Sequence, residues 1–467
     1  MSREIRADYD MQYLFPPSLE DWVPEDHPAR FIREFVDMLD LRRLGFKHHD
    51  SADGAPGYAP DLLLKAWLYG YIKKIRSSRL LEEACREHMS LVWLTGNHAP
   101  DHNTLWRFLD ENPGSMKLVF KEAVKVALDA GLMGMVVHAV DGTKIKSRCA
   151  NAGVLRRDDV ERLLEELEGS MDEMIMEVRK NEGDEFGEYR LPEELTEREA
   201  LRAKLSDALG RMHEIERDNI HPGEPDARMM NCRGRIEFAY NGQIVVDERS
   251  GMIVAEDVVN EEGDARQLTP MLEKVKENMG CVAEETLADA GYCSSSELAA
   301  AEEKKYPVLV NVSSESEGEF HWTKFSYDEQ NDCVICPLGN RLKFSCIDNS
   351  KKHPRQEYVC GDYNECPRRW ECSRSRRHGR RIRLLPNRTA LLRNHRRIVE
   401  PGNAELMRRR KVIAEKPFAI IKECMGFRRW TFGGLKGVRT QWALICTAFN
   451  LKKLYLRWAS ERMILSN

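Results

Sequence analysis

The hydrophobic period of the chain changes abruptly after Asp141. The run from Met133 to Val140 is short and rich in β-branched residues, typical of a buried strand that places Asp141 at its carboxyl end. Two heptad seams follow, on either side of the loop Asn181–Pro192. They comprise Val160, Leu164, Leu167, Met171, Met174 and Val178, then Leu201, Leu205, Ala208, Met212 and Ile215. The seams predict an antiparallel helical hairpin inserted at 155–220, and we interpret its charges as a solvated coiled-coil exterior.

Strand-like alternation returns after the hairpin and predicts an α/β core. Two or three strands are predicted within Ile236–Val259, with turns at Asn241-Gly242 and Ser250-Gly251. A helix at Asp264–Asn278 and a strand at Thr286–Ala288 follow. The last predicted elements are a helix near Ser294, with Glu297 placed for a capping box, and a strand at Val308–Val312. Ser313 to about Asn403 is polar, Cys-bearing and strand-like, and Ala404–Leu454 returns to helix. The sequence therefore predicts a mixed sheet with two insertions.

The first 130 residues have a helical period throughout. Asp61–His88 is broken by the polar run Arg76–Arg79, which makes it a helix-turn-helix candidate, and Asp101 is placed to cap a following helix. Such a module can insert a helix into a DNA groove, but short helical hairpins are equally common in ordinary cores.

Composition places the chain among globular proteins rather than disordered or membrane chains. It has 467 residues, 42% hydrophobic and 32% charged, and no run approaches the ~20 apolar residues of a membrane helix. The first residues lack the apolar stretch of a secretory signal, so we expect a cytoplasmic protein without membrane contact. No phosphate-binding loop of the G-x4-G-K-[ST] type stands at a strand-helix junction, which leaves nucleotide hydrolysis without support.

Positive charge is concentrated near the C-terminus. From Arg341 to Asn467 there are 31 Lys and Arg against 10 Asp and Glu, although the whole chain carries a net charge of −5. Arg374–Arg397 alone holds 10 Arg in 24 residues. This distribution is typical of a polyphosphate partner, and the alternatives are a solvated arginine-rich face or a disordered basic loop.

Three acidic residues lie where a sheet-edge site would place them. Asp141 and Asp289 each end a predicted strand, and Glu415 lies on a helix with Lys422 two turns later and Lys411 one turn earlier. Three converging carboxylates would repel one another unless a divalent cation lay between them, and their hard oxygen ligands suit Mg²⁺. Two such ions would activate a nucleophile for phosphodiester displacement. Taken singly, each acid fits a turn residue or an ion-paired surface helix equally well.

The chain resembles the insertion-sequence DDE transposases, in the branch with D-x-G-Y and Y-x2-R-x3-E-x6-K motifs. D-A-G-Y is Asp289–Tyr292, and E-x6-K is Glu415–Lys422. VVHAVDGTKIKS carries Asp141 and resembles the first motif, whereas PDHNTLWRF and the tail RRWTFGGLKGVRTQWALICTAFNLKKL resemble the family's flanking segments. The signature's Tyr and Arg positions hold Arg408 and Lys411, so its phosphate-gripping role is expected to fall to Lys411 or Arg410.

This resemblance implies a ribonuclease-H-like mixed-sheet core at 131–312 and 401–467, an N-terminal helical DNA-binding domain at 1–130 and a Cys-bearing basic insertion at 313–400. It implies Mg²⁺-dependent cleavage of transposon ends followed by strand transfer, with Mn²⁺ as a substitute. The metal ligands would be Asp141, Asp289 and Glu415, and the DNA contacts Lys422, Tyr292, Arg410 and Lys411. The protein would act as a homodimer on paired double-stranded DNA ends, associated with the nucleoid when bound. We expect the hairpin to serve dimerisation or spacing.

Four cysteines in two pairs suggest a second metal. Cys333-x2-Cys336 and Cys366-x5-Cys372 could provide four thiolates for tetrahedral Zn²⁺, which would cross-link an insertion that has few apolar residues. Reduced, unliganded thiols are the equal alternative.

Three functions remain open from the sequence. The first is an active transposase. The second is a catalytically silent, transposase-derived DNA-binding protein, to which the Arg408 and Lys411 departures lend weight. The third is a zinc-stabilised regulator whose α/β core is only a scaffold.

Overall fold

The computed structural model describes residues 18–48, 57–150, 153–181, 193–312, 318–328, 330–349, 354–373, 375, 377–384 and 387–465. Most of the predicted loop Asn181–Pro192 lies outside this set, as do Arg374 and Arg376 of the basic stretch. The side chains of Met174 and Val178, from the first heptad seam, also lie outside it.

The N-terminal part is helical, as predicted. Its helices are α1 (Pro28–Asp37), α2 (Pro60–Ile72), α3 (Ser78–Glu87), α4 (Met89–Leu94), α5 (His102–Glu111) and α6 (Pro113–Asp129). The Asp101 side chain accepts hydrogen bonds from the backbone N–H groups of Asn103 and Thr104, which confirms the predicted cap of α5.

The central part contains a six-stranded mixed sheet and four helices. Its strands are β1 (Val137–Lys146), β2 (Leu155–Arg156), β3 (Asn219–Ile220), β4 (Arg228–Cys232), β5 (Arg235–Asp247), β6 (Ile253–Val259), β7 (Glu285–Ala288) and β8 (Val308–Val310). Its helices are α7 (Arg157–Asn181), α8 (Glu193–Glu214), α9 (Leu268–Met279) and α10 (Ser295–Glu303). The predicted hairpin is confirmed as α7 packed on α8, and the short pair β2 and β3 closes its base.

Strand β1 lies in the middle of the sheet. It pairs antiparallel with β5 on one side and parallel with β7 on the other, and β8 pairs parallel with β7. The far side of β5 carries both β4 and β6, each antiparallel to a different half of the strand. The order β6-β5-β1-β7-β8 therefore has three antiparallel strands followed by two parallel ones.

The Cys-bearing insertion is a separate antiparallel sheet, which confirms its predicted strand content. It consists of β9 (Ser326–Asp328), β10 (Cys333–Ile335), β11 (Arg341–Asp348), β12 (Arg355–Cys360), the short helix α11 (Arg369–Cys372) and β13 (Arg381–Leu384). These strands neighbour one another in chain order, so the sheet is a meander. It has its own small buried cluster, which includes Val334, Tyr358 and Ile382.

Three C-terminal helices connect the parts. They are α12 (Arg388–Ile398), α13 (Asn403–Ala419) and α14 (Gly434–Leu465). Helix α13 packs on β1, β5 and β7, whereas α14 packs on β6 and also on α2 and α6 of the N-terminal part. Buried residues of both parts, such as Trp67 and Trp442, consequently belong to one continuous hydrophobic cluster.

The predicted turn at Asn241-Gly242 is wrong. Both residues lie inside the continuous strand β5, where Gly242 pairs with Thr143 of β1. A Cβ built on Gly242 would lie 3.1 Å from ring atoms of Trp442, and the Trp442 indole N–H donates to the Gln243 carbonyl at 3.1 Å. Glycine is used here for the close approach of a tryptophan, a role that the dipeptide pattern cannot distinguish from a turn.

Other local predictions had mixed outcomes. The turn at Ser250-Gly251 is confirmed between β5 and β6, with Gly251 at a φ of +61°. Ser294 does precede α10, but its side chain makes no cap hydrogen bond. Glu297 instead accepts a hydrogen bond from the Thr269 backbone N–H at 2.8 Å. The predicted capping box is replaced by a tertiary contact between α10 and α9.

Candidate active site

Asp141 and Asp289 lie side by side at the edge of the central sheet. The parallel register of β1 and β7 pairs Ala139 with Leu287, and each aspartate lies two residues beyond that pair. Asp289 directly follows β7, as predicted, whereas the predicted strand end at Asp141 is wrong, because β1 continues to Lys146 through its pairing with β5. The Asp141 carboxylate accepts a hydrogen bond from the Gly142 N–H, and Asp289 accepts one from the Gly291 N–H, both at 2.8 Å. The fold therefore brings two of the three predicted acids together.

The environment of Asp141 disfavours its charged form. Its side chain is only 16% exposed, and burial raises its pKa to about 6, with the negative charge of Asp289 contributing in the same direction. The Gly142 hydrogen bond and the charge of Arg410 act in the opposite direction and are weaker. A positive charge placed between the two carboxylates would relieve this repulsion.

Arg410 supplies positive charge from helix α13. Its Nη1 lies 3.8 Å from Asp141 Oδ2, and its side chain is 15% exposed. That nitrogen is buried without a hydrogen-bond partner among the described residues. Arg410, predicted as a DNA contact, thus faces the first acid with one buried N–H group available for an acceptor.

Glu415 does not join the two aspartates in this arrangement. Its side chain is 57% exposed, and its Oε1 lies 4.0 Å from Lys411 Nζ, one turn earlier on α13. Within the described ranges, no three or more His, Cys, Asp and Glu side chains are grouped so that they could hold a metal ion. The structure therefore shows a pair of acids with an arginine beside them, and the third acid on the surface of the helix that covers them.

Lys422 lies close to the site, but the helix between Glu415 and Lys422 is not the regular α-helix that the sequence predicts. Pro417 lies inside α13, and residues Ile420–Cys424 that follow form one π-helical turn. This wider turn breaks the seven-residue spacing that would align Lys422 with Glu415. The Lys422 ammonium donates to Thr143 Oγ1 on β1, and burial lowers its pKa. The lysine therefore flanks the site through Thr143, which lies two residues beyond Asp141 on β1.

Tyr292 is structural in this arrangement. Its side chain is fully buried, and its hydroxyl donates to Gln243 Oε1 on β5. Burial raises its pKa well above the ordinary value, with the charges of Asp264, Asp141 and Asp289 adding to the effect. The predicted contact of Tyr292 with DNA is therefore corrected, since the ring is inside the core and holds the Asp289 turn against β5.

Asp264 is a further acid that the sequence interpretation did not select. It precedes α9, and its Oδ1 accepts hydrogen bonds from Asn241 Nδ2 and Gln243 Nε2, both at 2.7 Å. Its Oδ2 lies 3.2 Å from Lys144 Nζ. A Cβ at Gly142 would lie 2.7 Å from Asp264 Oδ1, so glycine is needed there. No sequence signal marks Asp264 as part of the site, because its partners lie on strands distant in the chain.

Two family models match the chain. A transposase domain (DUF772) matches residues 17–111, and a transposase DDE domain matches residues 335–455. Each match covers less than half of the chain, so the similarity to transposases is shown for these two ranges. A search of curated proteins and a search of solved structures found no match.

The two matches cover different parts of the chain. The first covers α1 to α5, and the second covers β11 to β13 of the Cys-bearing sheet, Glu415, Lys422 and most of α14. Asp141 and Asp289 lie between the matched ranges, so their assignment depends on the sheet register and on the motifs. Among the described residues, no helix is long and apolar enough to span a membrane.

A cationic cavity lies where the N-terminal helices meet α14. It has a volume of about 520 Å³, and its lining includes Arg76, Trp106, Arg148 and Lys436. Trp106 is 51% exposed, which is unusual for a tryptophan. Positive side chains beside an exposed aromatic ring are typical of nucleic-acid contacts.

Several arginines of the basic stretch are already paired within the protein. Arg383 pairs with Glu357 at 2.9 Å within the Cys-bearing sheet. Arg393 and Arg397 of α12 pair with Glu302 and Glu285, both at 2.6 Å. These arginines fasten α12 and β13 to their neighbours, so the described part of the stretch is partly structural rather than entirely available to phosphates.

The Cys-bearing sheet groups four thiols, but one differs from the predicted set. Cys336, Cys366 and Cys372 line one cavity together with Cys360. Cys333 is instead buried within β10, paired with Lys343 of β11. The predicted two-by-two spacing missed Cys360 because its place at the cavity depends on the pairing of β12 with β11, in which Cys360 is opposite Leu342.

Proposed function

We propose that the protein cleaves transposon-end DNA in a Mg²⁺-dependent reaction and transfers the free strand into target DNA, as a polynucleotidyl transferase with a ribonuclease-H-like core. The observation that carries the proposal is the pair of carboxylates just beyond the point where the parallel pairing of β1 and β7 ends, covered by a helix that carries Glu415. Sheet order supports it, because the pair lies where the central strand meets its parallel neighbour, the usual position for a site in an open sheet.

The donor set suits a hard divalent cation. Asp141 and Asp289 would hold the ion, and Glu415, with its exposed and flexible side chain, would complete the set by turning away from Lys411. Burial and repulsion by Asp289 raise the pKa of Asp141, a cost that a divalent cation would offset. Bound Mg²⁺ or Mn²⁺ would supply nucleophile activation and stabilisation of the leaving oxygen.

Cationic side chains flank the acids on both sides. Arg410 has a buried N–H group without a hydrogen-bond partner among the described residues, and Lys422 reaches the far side of Asp141 from the π-helical turn. We assign both to the DNA phosphates next to the cleaved bond, with Lys411 as an outer contact. Because Lys422 is half-buried and its pKa is lowered, displacement of its bond to Thr143 by a phosphate would restore its preference for the charged state.

We assign the DNA adjoining the cleavage site to the cationic cavity between α3 and α14. Arg76, Arg148 and Lys436 would contact backbone phosphates on leaving their present partners, which are the Met425 carbonyl, Glu224 and Asp110. Trp106 would offer a surface for base stacking. The cavity and the acids belong to one packed body because α14 contacts both the N-terminal helices and β6.

Pairing of two DNA ends would require two protomers. We assign dimerisation or spacing to the hairpin of α7 and α8, where Leu163 and Leu201 are more than 40% exposed. Deletion of Val160–Ile215 tests this assignment, and an unchanged oligomeric state with unchanged end pairing would refute it.

Cleavage of labelled transposon-end DNA tests the proposed activity. We expect wild-type protein with Mg²⁺ to cut, and Asp141→Asn, Asp289→Asn and Glu415→Gln each to lose at least a hundredfold in rate. Glu405→Gln is the matched control, since Glu405 lies on the same helix and pairs with Arg408 away from the site. Cleavage by all the variants at the wild-type rate would refute the proposal.

A silent DNA-binding protein is the second candidate. The ion pair between Arg410 and Asp141 favours it, because an arginine beside the first acid would compete with a metal ion. This function predicts that wild-type protein binds transposon-end DNA with strong salt dependence and makes no cut with Mg²⁺ or Mn²⁺.

A further inference from the structure

The Cys-bearing sheet contains a cavity surrounded by four thiols from three different segments. Cys336 follows β10, Cys360 ends β12, and Cys366 and Cys372 belong to the segment that leads into and through α11. The cavity volume is about 30 Å³, above the ~10–15 Å³ in which a single water molecule fits. The space suits a single ion rather than an organic ligand.

The thiols are close enough to influence one another. Burial raises the pKa of Cys360, and the neighbouring Cys336 and Cys366 add to the effect. Burial likewise raises the pKa of Cys372, and the neighbouring Cys336, Cys366 and Cys360 add to the effect. Cys333 and Cys346 do not line the cavity, although both belong to the same sheet.

The backbone around the cavity is shaped by two tight turns. The turn after β10 is closed by the Gly339 N–H donating to the Cys336 carbonyl at 2.8 Å, with Gly339 at a φ of +84°. Gly379 packs on Cys360 so closely that a Cβ there would strike the Cys360 carbonyl and lie 2.9 Å from Tyr363 Cβ. These turns bring the backbones of two cysteine segments near the cavity.

A guanidinium lies beside the cluster. Arg380 Nη1 donates to the Cys372 carbonyl at 3.3 Å, and its charge opposes the rise that burial causes in the pKa of the Cys372 thiol. Four thiolates around a divalent cation carry a net charge of −2, and a neighbouring guanidinium would offset part of that charge.

The sheet around the cavity has a small hydrophobic core. Eight buried residues form its cluster, and one of them is Cys360 itself. Small sheets with so little apolar burial are commonly stabilised by a metal or by disulfides. All four cysteines are free thiols in this structure.

We propose that Cys336, Cys360, Cys366 and Cys372 together bind one thiophilic divalent cation of the zinc class, which cross-links β10, β12 and α11. Tetrahedral coordination by four thiolates is a closed structural site with no open position for a substrate. The four cysteines line the cavity, but in the described part of the chain their sulfur atoms are not grouped closely enough to hold a metal ion. Rotation of the cysteine side chains between staggered rotamers would complete the site.

The metal content of the purified full-length chain tests this assignment. We expect about one zinc ion per chain by elemental analysis, and a loss of at least fivefold in zinc content for both Cys336→Ser and Cys360→Ser. Cys346→Ser and Cys333→Ser are the matched controls and retain the metal, because neither residue lines the cavity. Titration with Co²⁺ provides a second readout, since thiolate coordination gives a visible absorption that the two loss variants would lack.

Three results would overturn the proposal. The first is wild-type protein that stays zinc-free after incubation with Zn²⁺ under reducing conditions. The second is a Cys333→Ser variant that loses zinc while Cys360→Ser keeps it. The third is a disulfide bond between two of the four cysteines in protein freshly purified in the presence of a reductant. None depends on DNA cleavage. Asp141→Asn retains zinc under this proposal, so failure of the zinc site is distinguishable from failure of the catalytic one.

Discussion

Asp141 and Asp289 lie two residues beyond the paired Ala139 and Leu287 on neighbouring parallel strands. The parallel register, rather than either residue alone, places their carboxylates together. This arrangement should lower the free energy of unfolding when Asp141 is ionised, because Asp141 is largely buried and has Asp289 as a neighbour of the same charge.

We predict that Asp141→Asn stabilises the metal-free protein at pH 7.5 by about 1–3 kcal/mol. The pKa of Asp141 is raised to about 6 in the folded protein from an ordinary value of 3.8. The folded state therefore binds more protons than the unfolded state between these values, and the stability contributed by Asp141 falls as the pH rises from about 4 to about 6. Urea unfolding of both proteins at pH 4.5 and 7.5 is the measurement.

The pH dependence separates this effect from other consequences of the substitution. The advantage of Asp141→Asn should shrink at pH 4.5, where the aspartate keeps its proton in the folded state. An equal advantage at both pH values would contradict the assigned cause.

Arg410→Ala should weaken binding of transposon-end DNA about tenfold and reduce the slope of log affinity against log salt by about 1. The reason is the loss of a buried guanidinium that faces the sheet edge. Arg408→Ala is the matched control, because Arg408 is exposed and pairs with Glu405. Equal losses in the two variants would show that Arg410 contributes only general charge.

Gly242→Ala should destabilise the protein by about 1–3 kcal/mol through overpacking against Trp442. The added methyl group would lie 3.1 Å from the indole ring, between a central strand and a buried helix. Gly263→Ala is the control, since nothing lies within 4 Å of a Cβ built there. Thermal or urea unfolding that shows no difference between the two variants would mean that the Trp442 contact is looser than described.

Tyr292→Phe should cost about 1 kcal/mol of stability and leave the affinity for DNA unchanged. The buried hydroxyl donates to Gln243 Oε1, and its removal leaves that oxygen without this donor. Unfolding and DNA-binding titrations on the same preparation separate the two effects. A variant of normal stability with tenfold weaker DNA binding would restore the motif-based assignment of Tyr292 to DNA.

Features that depend on periodicity, or on residues close together in the chain, were predictable from the sequence. The heptad seams gave the hairpin, the β-branched runs gave the core strands, and Asp101 gave a helix cap. These features depend on residues that are neighbours within one element, where spacing along the chain determines which side chains share a face.

Features set by packing between distant segments were not predictable. Gly242 fits a turn until Trp442 is seen against it, and Glu297 fits a capping box until Thr269 is seen to use it. Cys360 was missed because its membership of the cysteine cavity depends on the register of β11 and β12.

The positions of Lys422 and Asp264 also depend on geometry that residue spacing does not show. The spacing from Glu415 to Lys422 predicts a shared helix face, but the π-helical turn after Pro417 changes the direction in which Lys422 points. Asp264 carries no motif at all, and only the hydrogen bonds from Asn241 and Gln243 bring it into the site.

Binding of Mn²⁺, followed by electron paramagnetic resonance in the presence of transposon-end DNA, tests the central claim most directly. The proposed site predicts that Asp141→Asn, Asp289→Asn and Glu415→Gln each weaken binding at least tenfold, whereas Glu405→Gln binds as the wild type does. Wild-type affinity in Glu415→Gln would contradict the account, because the exposed glutamate would then have no part in holding the metal.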